Sequence, residues 1–293
     1  MEKEIKKVLL ITNFNIYDKA QVALRVAEKL TEFGCEVCTI LYNKDKIFRL
    51  HSRVRFTFLP AEEAYKAVDA VIVLGGDGTI LESARRCAPY NTPVMGLNLG
   101  RLGYMAELEV GEIEELARLV SGDYKLETRS MINIELVNAK GEVKKNEYAL
   151  NDAVLSNGSI SRVVDLELYE SGVHIANYRA DGMIVSTPTG STAYSLAAGG
   201  AIVDPKLNCF CVTPICPHSL YARPLVFPDS ACLVIKNVCQ REKTLFLTVD
   251  GRINYELSIG EQVRVTRSPL VTSFIKLKEC SFYERLRQKM NDK

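Results

Sequence analysis

A strand and a glycine turn follow one another in Val71-Ile72-Val73-Leu74-Gly75-Gly76-Asp77-Gly78-Thr79. The four apolar residues, mostly β-branched, predict a buried strand. The three glycines predict a tight turn, and residues 80–86 predict a helix after it. A turn of this kind presents backbone N–H groups at the positive end of a helix dipole, where a phosphate binds readily. The stretch therefore predicts a phosphate-binding turn.

The aspartate in this turn does not suit a site that binds phosphate alone. A carboxylate repels a neighbouring phosphate unless it handles a proton, a hydroxyl group or a metal ion. We therefore expect Asp77 to take part in chemistry on a phosphorylated substrate. The alternative is a simple glycine turn in which Asp77 caps the helix.

The composition is that of a globular chain with one large domain or two ordinary ones. Of 293 residues, 47% are hydrophobic and 25% are charged, and the formal net charge is +1. This charge gives no reason to expect a nucleic-acid or membrane-surface partner. The N-terminus is too charged for a signal peptide, and no apolar run approaches the ~20 residues of a membrane helix. We therefore expect a cytoplasmic protein, whose nine cysteines are reduced structural thiols.

Strands and helices alternate over residues 1–125, which predicts an α/β domain with a parallel sheet. The glycine turn then lies at the carboxyl ends of the strands, where ligands of such sheets bind. Asp18 is expected to cap the first helix. The expected strands are 8–12, 37–41, 71–74 and 94–98, and the later helices are 62–67, 79–87 and 111–121.

Short strands without intervening helices follow, which predicts a mostly antiparallel, β-rich second domain over residues 126–279. The last residues, 280–293, have apolar side chains at helical spacing and predict a helix that joins the first domain. The expected strands of the second domain are 132–137, 143–150, 163–169, 174–178, 231–236, 244–249, 262–267 and 271–277.

A second stretch with candidate ligand groups runs from Asp181 to Gly200. It passes from a strand through a turn rich in glycine and hydroxyl groups, Ser186-Thr187-Pro188-Thr189-Gly190-Ser191-Thr192, into a short helix. Such a turn offers donors for sugar hydroxyls and phosphates, and Tyr194 offers a ring on which a base stacks. The alternative is that the hydroxyl groups only cap the helix.

Two further pairs of polar residues lie near strand ends. Asn151-Asp152 falls between two predicted strands, where such a pair alone is more often a turn than a ligand site. Arg179 and Asp181 flank one residue at the end of a strand, so they share a face. They are expected to form a salt bridge or to contact a ligand.

Taken together and in order, five segments between residues 70 and 252 resemble the ATP-dependent NAD kinases. The GGDG element also occurs in 6-phosphofructokinases and in diacylglycerol and sphingosine kinases, whereas STPTGSTAY and the Asn-Asp pair are more specific. The resemblance implies a Rossmann-like, phosphofructokinase-like α/β domain followed by a β-rich domain. The segments are Gly75 to Thr79, Asn98 to Tyr104, Asn151-Asp152, Asp181 to Gly200 and Pro217 to Leu225.

The resemblance implies that the γ-phosphoryl group of ATP is transferred to the 2′-hydroxyl of the adenosine ribose of NAD, giving NADP and ADP. It implies a divalent cation, Mg²⁺, with unknown ligands, and a homodimer or homotetramer. Asp77 matches the general base of the family. The residues implied at ATP phosphate are Gly75, Gly76, Gly78 and Thr79. Those implied at NAD are Asp77, Gly78, Asn151, Asp152, Arg162, Arg179, Asp181, Thr192, Ala193, Tyr194, Ser195, Leu196 and Ala197.

Two positions depart from the family pattern. Ala197 stands where many members have serine, and Arg252 stands where many have glutamine. They leave open the choice of NAD or NADH and of ATP or polyphosphate. Two other functions also stay open, namely a lipid or sugar kinase with the same glycine turn, and a non-catalytic dinucleotide-binding sensor.

Overall fold

The computed structural model describes residues 2–50, 54–100, 103–158, 163–240 and 245–291. The chain divides into two units, Met1–Thr128 with Thr272–Lys293, and Arg129–Val271. Residues 272–279, which the strand pattern placed in the second domain, thus belong to the first unit. The reason is that Phe274, near the end of the last strand, pairs with Val94 of the first unit.

The first unit alternates strands and helices. It contains β1 (Lys7–Ile11), α1 (Tyr17–Glu32), β2 (Glu36–Ile40), α2 (Lys44–Arg49), β3 (Thr57–Leu59), α3 (Ala61–Ala64), β4 (Ala70–Leu74), α4 (Asp77–Cys87), β5 (Val94–Asn98), β6 (Ala106–Glu109), α5 (Leu116–Val120) and the start of β7 (Lys125–Val137). Short 3₁₀ turns cover Leu41–Asn43, Ala88–Tyr90 and Val110–Glu115.

The strands of the first unit form the expected parallel sheet, in the order β3-β2-β1-β4-β5, with β6 beside β5. The chain winds from β1 toward β3 and then returns to place β4 on the other side of β1. A crevice at the carboxyl ends of the strands forms at such a switch point. The glycine turn follows β4 and therefore lies at this point.

Helix α1 shows where a local prediction was wrong. Its apolar face, with Ala23 and Leu30 among its members, is buried as expected. The helix begins at Tyr17, however, and its N-cap is Ile16, so Asp18 lies within the first turn and is not the cap. The negative charge of Asp18 still suits the N-terminal end of the helix dipole.

The second unit consists mainly of strands. It contains the rest of β7, β8 (Val143–Ala149), β9 (Asp152–Asn157), β10 (Val164–Glu170), β11 (Val173–Ala180), β12 (Gly182–Ser186), α6 (Tyr194–Ala197), β13 (Cys209–Ile215), β14 (Leu225–Pro228), β15 (Leu233–Asn237), β16 (Leu245–Val249), β17 (Ile253–Leu257) and the first part of β18 (Gln262–Lys276). A 3₁₀ turn covers Gly190–Thr192. Helix α7 (Phe282–Asn291) ends the chain in the first unit.

Two antiparallel sheets share the core of the second unit. One has the order β14-β13-β12-β9-β16-β17, and the other joins β11, β10, β15 and β18. Leu155 and Met183 of the first sheet belong to the same buried cluster as Leu166 and Ile235 of the second. The expected β-rich domain is confirmed. Strands β13, β14 and β17 were not expected, and β18 is one strand where two were predicted.

The nine cysteines are free thiols, and only Cys216 is exposed among them. Burial raises the pKa of Cys35 and Cys38 to about 12, which leaves both thiols protonated and unreactive at neutral pH. In the parts of the chain that the structure describes, no group of three or more His, Cys, Asp or Glu side chains has the geometry of a metal site. Within the same ranges, no helix combines the length and apolar character that a membrane span requires.

Candidate active site

The glycine turn joins β4 to α4 and leaves backbone donors at the start of the helix. Gly76 is the N-cap and Asp77 is the first helical residue, so Asp77 does not cap its own helix. A Cβ atom at Gly75 would lie 3.1 Å from the Thr79 side chain, so a larger residue would require this side chain to shift. Over the described ranges, no acceptor takes the backbone N–H of Gly76 or Asp77. These two groups are therefore available to an anion.

The carboxylate of Asp77 is oriented by the loop that follows β5. The backbone N–H of Tyr104 donates to Oδ2 at 3.0 Å, and that of Met105 donates to Oδ1 at 3.1 Å. Each oxygen thus keeps further capacity to accept. The side chain is about one-third exposed. A fixed, accessible carboxylate of this kind can accept a proton from a bound hydroxyl group.

A lysine that the sequence analysis did not find completes this cluster. The Lys289 ammonium lies 3.5 Å from Oδ2 of Asp77 and 3.7 Å from the centre of the Tyr104 ring. Burial raises the pKa of Tyr104, and the charge of Asp77 raises it further. No sequence signal marks Lys289, because one lysine in a highly charged terminal helix has no distinctive spacing.

In the second unit, the Asn151-Asp152 pair is held by a third residue. The Asp250 carboxylate accepts the backbone N–H groups of Leu150 at 3.0 Å, Asn151 at 2.8 Å and Asp152 at 3.1 Å. Burial raises the pKa of Asp152 to about 7, and the Asp250 charge contributes. Asp250 was not predicted as a site residue. The Asp250-Gly251 pair at a strand end was the signal that could have found it.

The hydroxyl groups of the second stretch bind the protein itself. The Thr187 hydroxyl donates to Leu150 O at 2.6 Å and accepts the Gly190 N–H at 3.1 Å. The Ser191 hydroxyl donates to Pro188 O at 2.7 Å. A Cβ atom at Gly190 would collide with the backbone of Asn151, so the turn packs directly on the Asn-Asp pair. The structure thus joins two of the predicted site segments.

The remaining predicted contacts of this stretch differ in exposure. The Tyr194 side chain is exposed, as a stacking surface requires. Ser195 is fully buried and its hydroxyl pairs with Thr213 at 3.0 Å, so that hydroxyl faces the interior. Thr192 is half-buried, and its hydroxyl donates to Thr189 O at 3.3 Å. Ala193 and Leu196 are also half-buried, whereas Ala197 is exposed.

Arg179 and Asp181 do not form the salt bridge considered above. Arg179 is largely exposed, and its Nε lies 4.0 Å from Asp165 on the neighbouring strand β10. Asp181 is exposed at the start of β12, where its backbone N–H donates to Ile215 O. Both side chains therefore remain open to a ligand. Arg162 lies outside the described residues.

Two family models match the chain in succession. The model described as the ATP-NAD kinase N-terminal domain matches residues 3–124, and the model described as the ATP-NAD kinase C-terminal domain matches residues 150–277. The chain belongs to the ATP-NAD kinase family. The NAD kinase of Carboxydothermus hydrogenoformans is 44% identical over 232 residues, which cover 79% of this chain and 82% of that protein. The NAD kinase of Caldanaerobacter subterraneus subsp. tengcongensis is 37% identical over 292 residues, which cover 99% and 100%.

Two solved structures of NAD(H) kinases have the same fold. Yeast NADH kinase in complex with NADH matches with a TM-score of 0.90 at 24% identity, over 99% of this chain and 89% of that chain. An NAD kinase from Archaeoglobus fulgidus in complex with ATP matches with a TM-score of 0.72 at 24% identity, over 97% and 96%. The fold class expected from the sequence, an α/β domain followed by a β-rich domain, is confirmed.

Proposed function

We propose that the protein transfers the γ-phosphoryl group of ATP to the 2′-hydroxyl of the adenosine ribose of NAD, giving NADP and ADP. The reaction is a phosphoryl transfer with an alcohol group as acceptor. Membership of the ATP-NAD kinase family supports this function. The observation that carries it is the Asp77 carboxylate, which is fixed by two backbone N–H groups at the start of α4.

The chemistry follows from the positions of these groups. The 2′-oxygen of the ribose forms a bond to the γ-phosphorus, the bond from that phosphorus to the β,γ-bridging oxygen breaks, and Asp77 receives the hydroxyl proton. In phosphoryl transfer the protein mainly positions the reactants and stabilises negative charge. The backbone N–H groups of Gly76 and Asp77 would bind phosphate, with Gly75, Gly78 and Thr79 shaping the turn.

A divalent cation, Mg²⁺, is proposed as part of the nucleotide substrate. Mg²⁺ keeps several waters and commonly binds through substrate phosphates and one or two carboxylates rather than a cage of protein ligands. The described residues, which contain no cluster of three or more metal-binding side chains, fit this mode. The cation would neutralise charge on the phosphate oxygens.

The second unit is proposed to bind the dinucleotide. Asn151 and Asp152 would contact NAD hydroxyls, and Tyr194 would stack on a ring. Arg179 and Asp181 are exposed and would contact the dinucleotide, with Asp181 near the adenine. Gly78 would lie beside the ribose. The other proposed contacts are Arg162, Thr192, Ala193, Ser195, Leu196 and Ala197, and Ser195 would use its backbone because its side chain is buried.

The family also leads us to propose a cytoplasmic enzyme of NADP biosynthesis that forms a homodimer or homotetramer. The mass of the purified protein in solution tests the oligomeric state. A monomer would contradict that part of the proposal and leave the reaction untouched.

Incubation with ATP, Mg²⁺ and NAD, followed by chromatographic detection of NADP, tests the function. We expect NADP formation, and we expect Asp77→Asn to lower the rate by about 10²–10⁴-fold. The amide of the variant places an N–H donor against a backbone N–H, which costs ~1–3 kcal/mol, so thermal unfolding is measured in parallel. A lipid or sugar kinase would make no NADP, and a sensor would bind NAD without turnover.

A further inference from the structure

Helix α7 brings a positive charge to the proposed general base. The Lys289 ammonium lies 3.5 Å from Asp77 Oδ2, and both side chains are about one-third exposed. This distance is longer than a charge-assisted hydrogen bond of 2.7–2.9 Å. The pair is therefore an ion contact that leaves both groups able to accept or donate elsewhere. The two shorter contacts of the Asp77 carboxylate are the hydrogen bonds that it accepts from the backbone N–H groups of Tyr104, at 3.0 Å, and Met105, at 3.1 Å.

Tyr104 holds both members of this ion pair. Its backbone N–H donates to Asp77, and the centre of its ring lies 3.7 Å from the Lys289 ammonium. A cation at this distance from an aromatic face is attracted by the ring quadrupole. The contact fixes the flexible end of the lysine side chain beside the carboxylate. The arrangement is a three-residue cluster rather than a chance approach of two surface charges.

The helix that carries Lys289 is anchored one turn earlier on the same face. Arg285 donates to the buried Glu107 carboxylate at 2.5 Å and to Ala106 O at 2.6 Å. Its side chain is 11% exposed and that of Glu107 is 1% exposed. Because Ala106 directly follows the segment that binds Asp77, Arg285 fastens α7 to that segment. The position of Lys289 is thereby coupled to that of Asp77.

Asp77 also presents an electrostatic difficulty that Lys289 resolves. The carboxylate lies where N–H groups are free to hold phosphate, and its charge repels an approaching triphosphate. The adjacent ammonium offsets this charge without occupying the carboxylate through a short hydrogen bond. The carboxylate therefore stays oriented and available when ATP is bound.

We propose that Lys289 is a positioning residue for Asp77, which makes the last turn of α7 part of the catalytic apparatus. The inference rests on the proposed function, because it assigns Lys289 a role through the base of that reaction. It requires that Lys289 act on the chemical step through Asp77. It does not require that Lys289 bind either substrate.

The test compares Lys289→Ala and Lys289→Arg with a control, Arg287→Ala. The control removes one positive charge from an exposed position of the same helix, two residues away. We expect Lys289→Ala to lower kcat by about tenfold or more and to raise the KM for ATP, because the Asp77 charge is no longer offset, while the KM for NAD changes by less than about threefold. Lys289→Arg should recover part of kcat, and Arg287→Ala should match the wild type. The melting temperature should be unchanged, since Arg285 still anchors the helix.

A double variant decides whether Lys289 acts through Asp77. In the Asp77→Asn background, Lys289→Ala should cause no further loss of residual turnover, because the carboxylate on which it acts is gone. A normal kcat for Lys289→Ala would overturn the inference. The inference would also be overturned if Lys289→Ala lowered turnover as much in the Asp77→Asn background as it does in the wild type. The same holds if Arg287→Ala lowered kcat as much as Lys289→Ala does. If the wild type forms no NADP in the same assay, the proposed function fails, and the inference falls with it.

Discussion

Gly103 lies against the Asp77 carboxylate, so closely that a Cβ atom at position 103 would fall well within 3.0 Å of Oδ1. The next two residues, Tyr104 and Met105, donate their backbone N–H groups to the same carboxylate. The absence of a side chain at Gly103 is what permits the loop to approach. One glycine thus sets the orientation of the proposed base.

We expect Gly103→Ala to displace the Asp77 carboxylate and to lower kcat by about tenfold or more, since the base loses its alignment. The control is Gly100→Ala in the same loop, where a Cβ atom would meet nothing within 4 Å. Steady-state formation of NADP by both variants checks the prediction. Equal activity of the two variants would show that the close approach has no role in catalysis.

Asp250→Asn should weaken the hydrogen bonds by which the Asp250 side chain holds the backbone at Asn151-Asp152. The asparagine keeps a left-handed backbone, which Asp250 adopts with a φ of 46°, but one of its two side-chain groups is a donor. That donor would face the N–H of Leu150 or those of Asn151 and Asp152, at a cost of ~1–3 kcal/mol.

The expected results for Asp250→Asn are a lower melting temperature and a higher KM for NAD, with little change in the KM for ATP. Glu256→Gln removes a negative charge from an exposed position of β17 and serves as the control. If the KM for NAD does not change while the melting temperature falls, Asp250 is structural only.

The buried carboxyl group of Asp152 should make stability depend on pH. Its pKa in the folded protein is raised to about 7, above the unfolded value near ~3.9. The folded state therefore binds the proton more tightly. The resulting stabilisation is complete below pH ~4 and is lost as the pH rises toward 7.

Asp152→Asn should remove this dependence. Without ligand, the melting temperature of the variant relative to the wild type should rise by several degrees between about pH 5 and about pH 8. Thermal unfolding by circular dichroism in matched buffers measures it. A constant difference across this range would contradict the raised pKa.

Glu107 should show the opposite dependence on pH. Burial alone would raise its pKa, but Lys276, Arg285 and the backbone N–H of Lys278 outweigh burial and lower it. Its stabilising effect is therefore present above the unfolded pKa of ~4.3 and is lost as the pH falls through the lower folded value.

Glu107→Gln leaves two largely buried cations without their carboxylate and should destabilise the first unit by about 3–5 kcal/mol at neutral pH. The difference from the wild type should shrink below pH ~4, where Glu107 itself becomes protonated. Chemical denaturation as a function of pH provides the measurement, with the exposed Glu62→Gln as control. A difference that persists unchanged in acid would contradict the lowered pKa.

Sequence reasoning found the elements that have a strong local pattern. The buried strand and glycine turn around Asp77 are of this kind, and so is the hydroxyl-rich stretch before Tyr194. It misplaced elements whose pattern is ambiguous. Ser268 and Pro269 indicate a break, yet β18 runs through them as one strand. Residues 44–49 lie in none of the predicted helices, yet they form α2.

The parts of the site that sequence reasoning missed depend on contacts between distant positions. Asp250 acts on backbone groups about a hundred positions earlier, and Lys289 reaches Asp77 from the last helix. The spacing of Phe282, Leu286 and Met290 predicted an apolar face for that helix, but Phe282 and Leu286 are only half-buried and Met290 is exposed. Polar contacts of Arg285 with Ala106 and Glu107 also hold the helix, and no periodicity reveals such contacts.

The internal hydrogen bonds of Thr187, Ser191 and Ser195 have a consequence for the entropy of ligand binding. Ordering of loops and side chains at a binding site typically costs ~0.5–1.5 kcal/mol for each side chain that becomes immobile. In this stretch the side chains of Thr187, Ser191 and Ser195 are already fixed by their internal hydrogen bonds when the chain folds. A dinucleotide that binds there meets a preorganised surface, so little of its binding free energy is spent on ordering the protein.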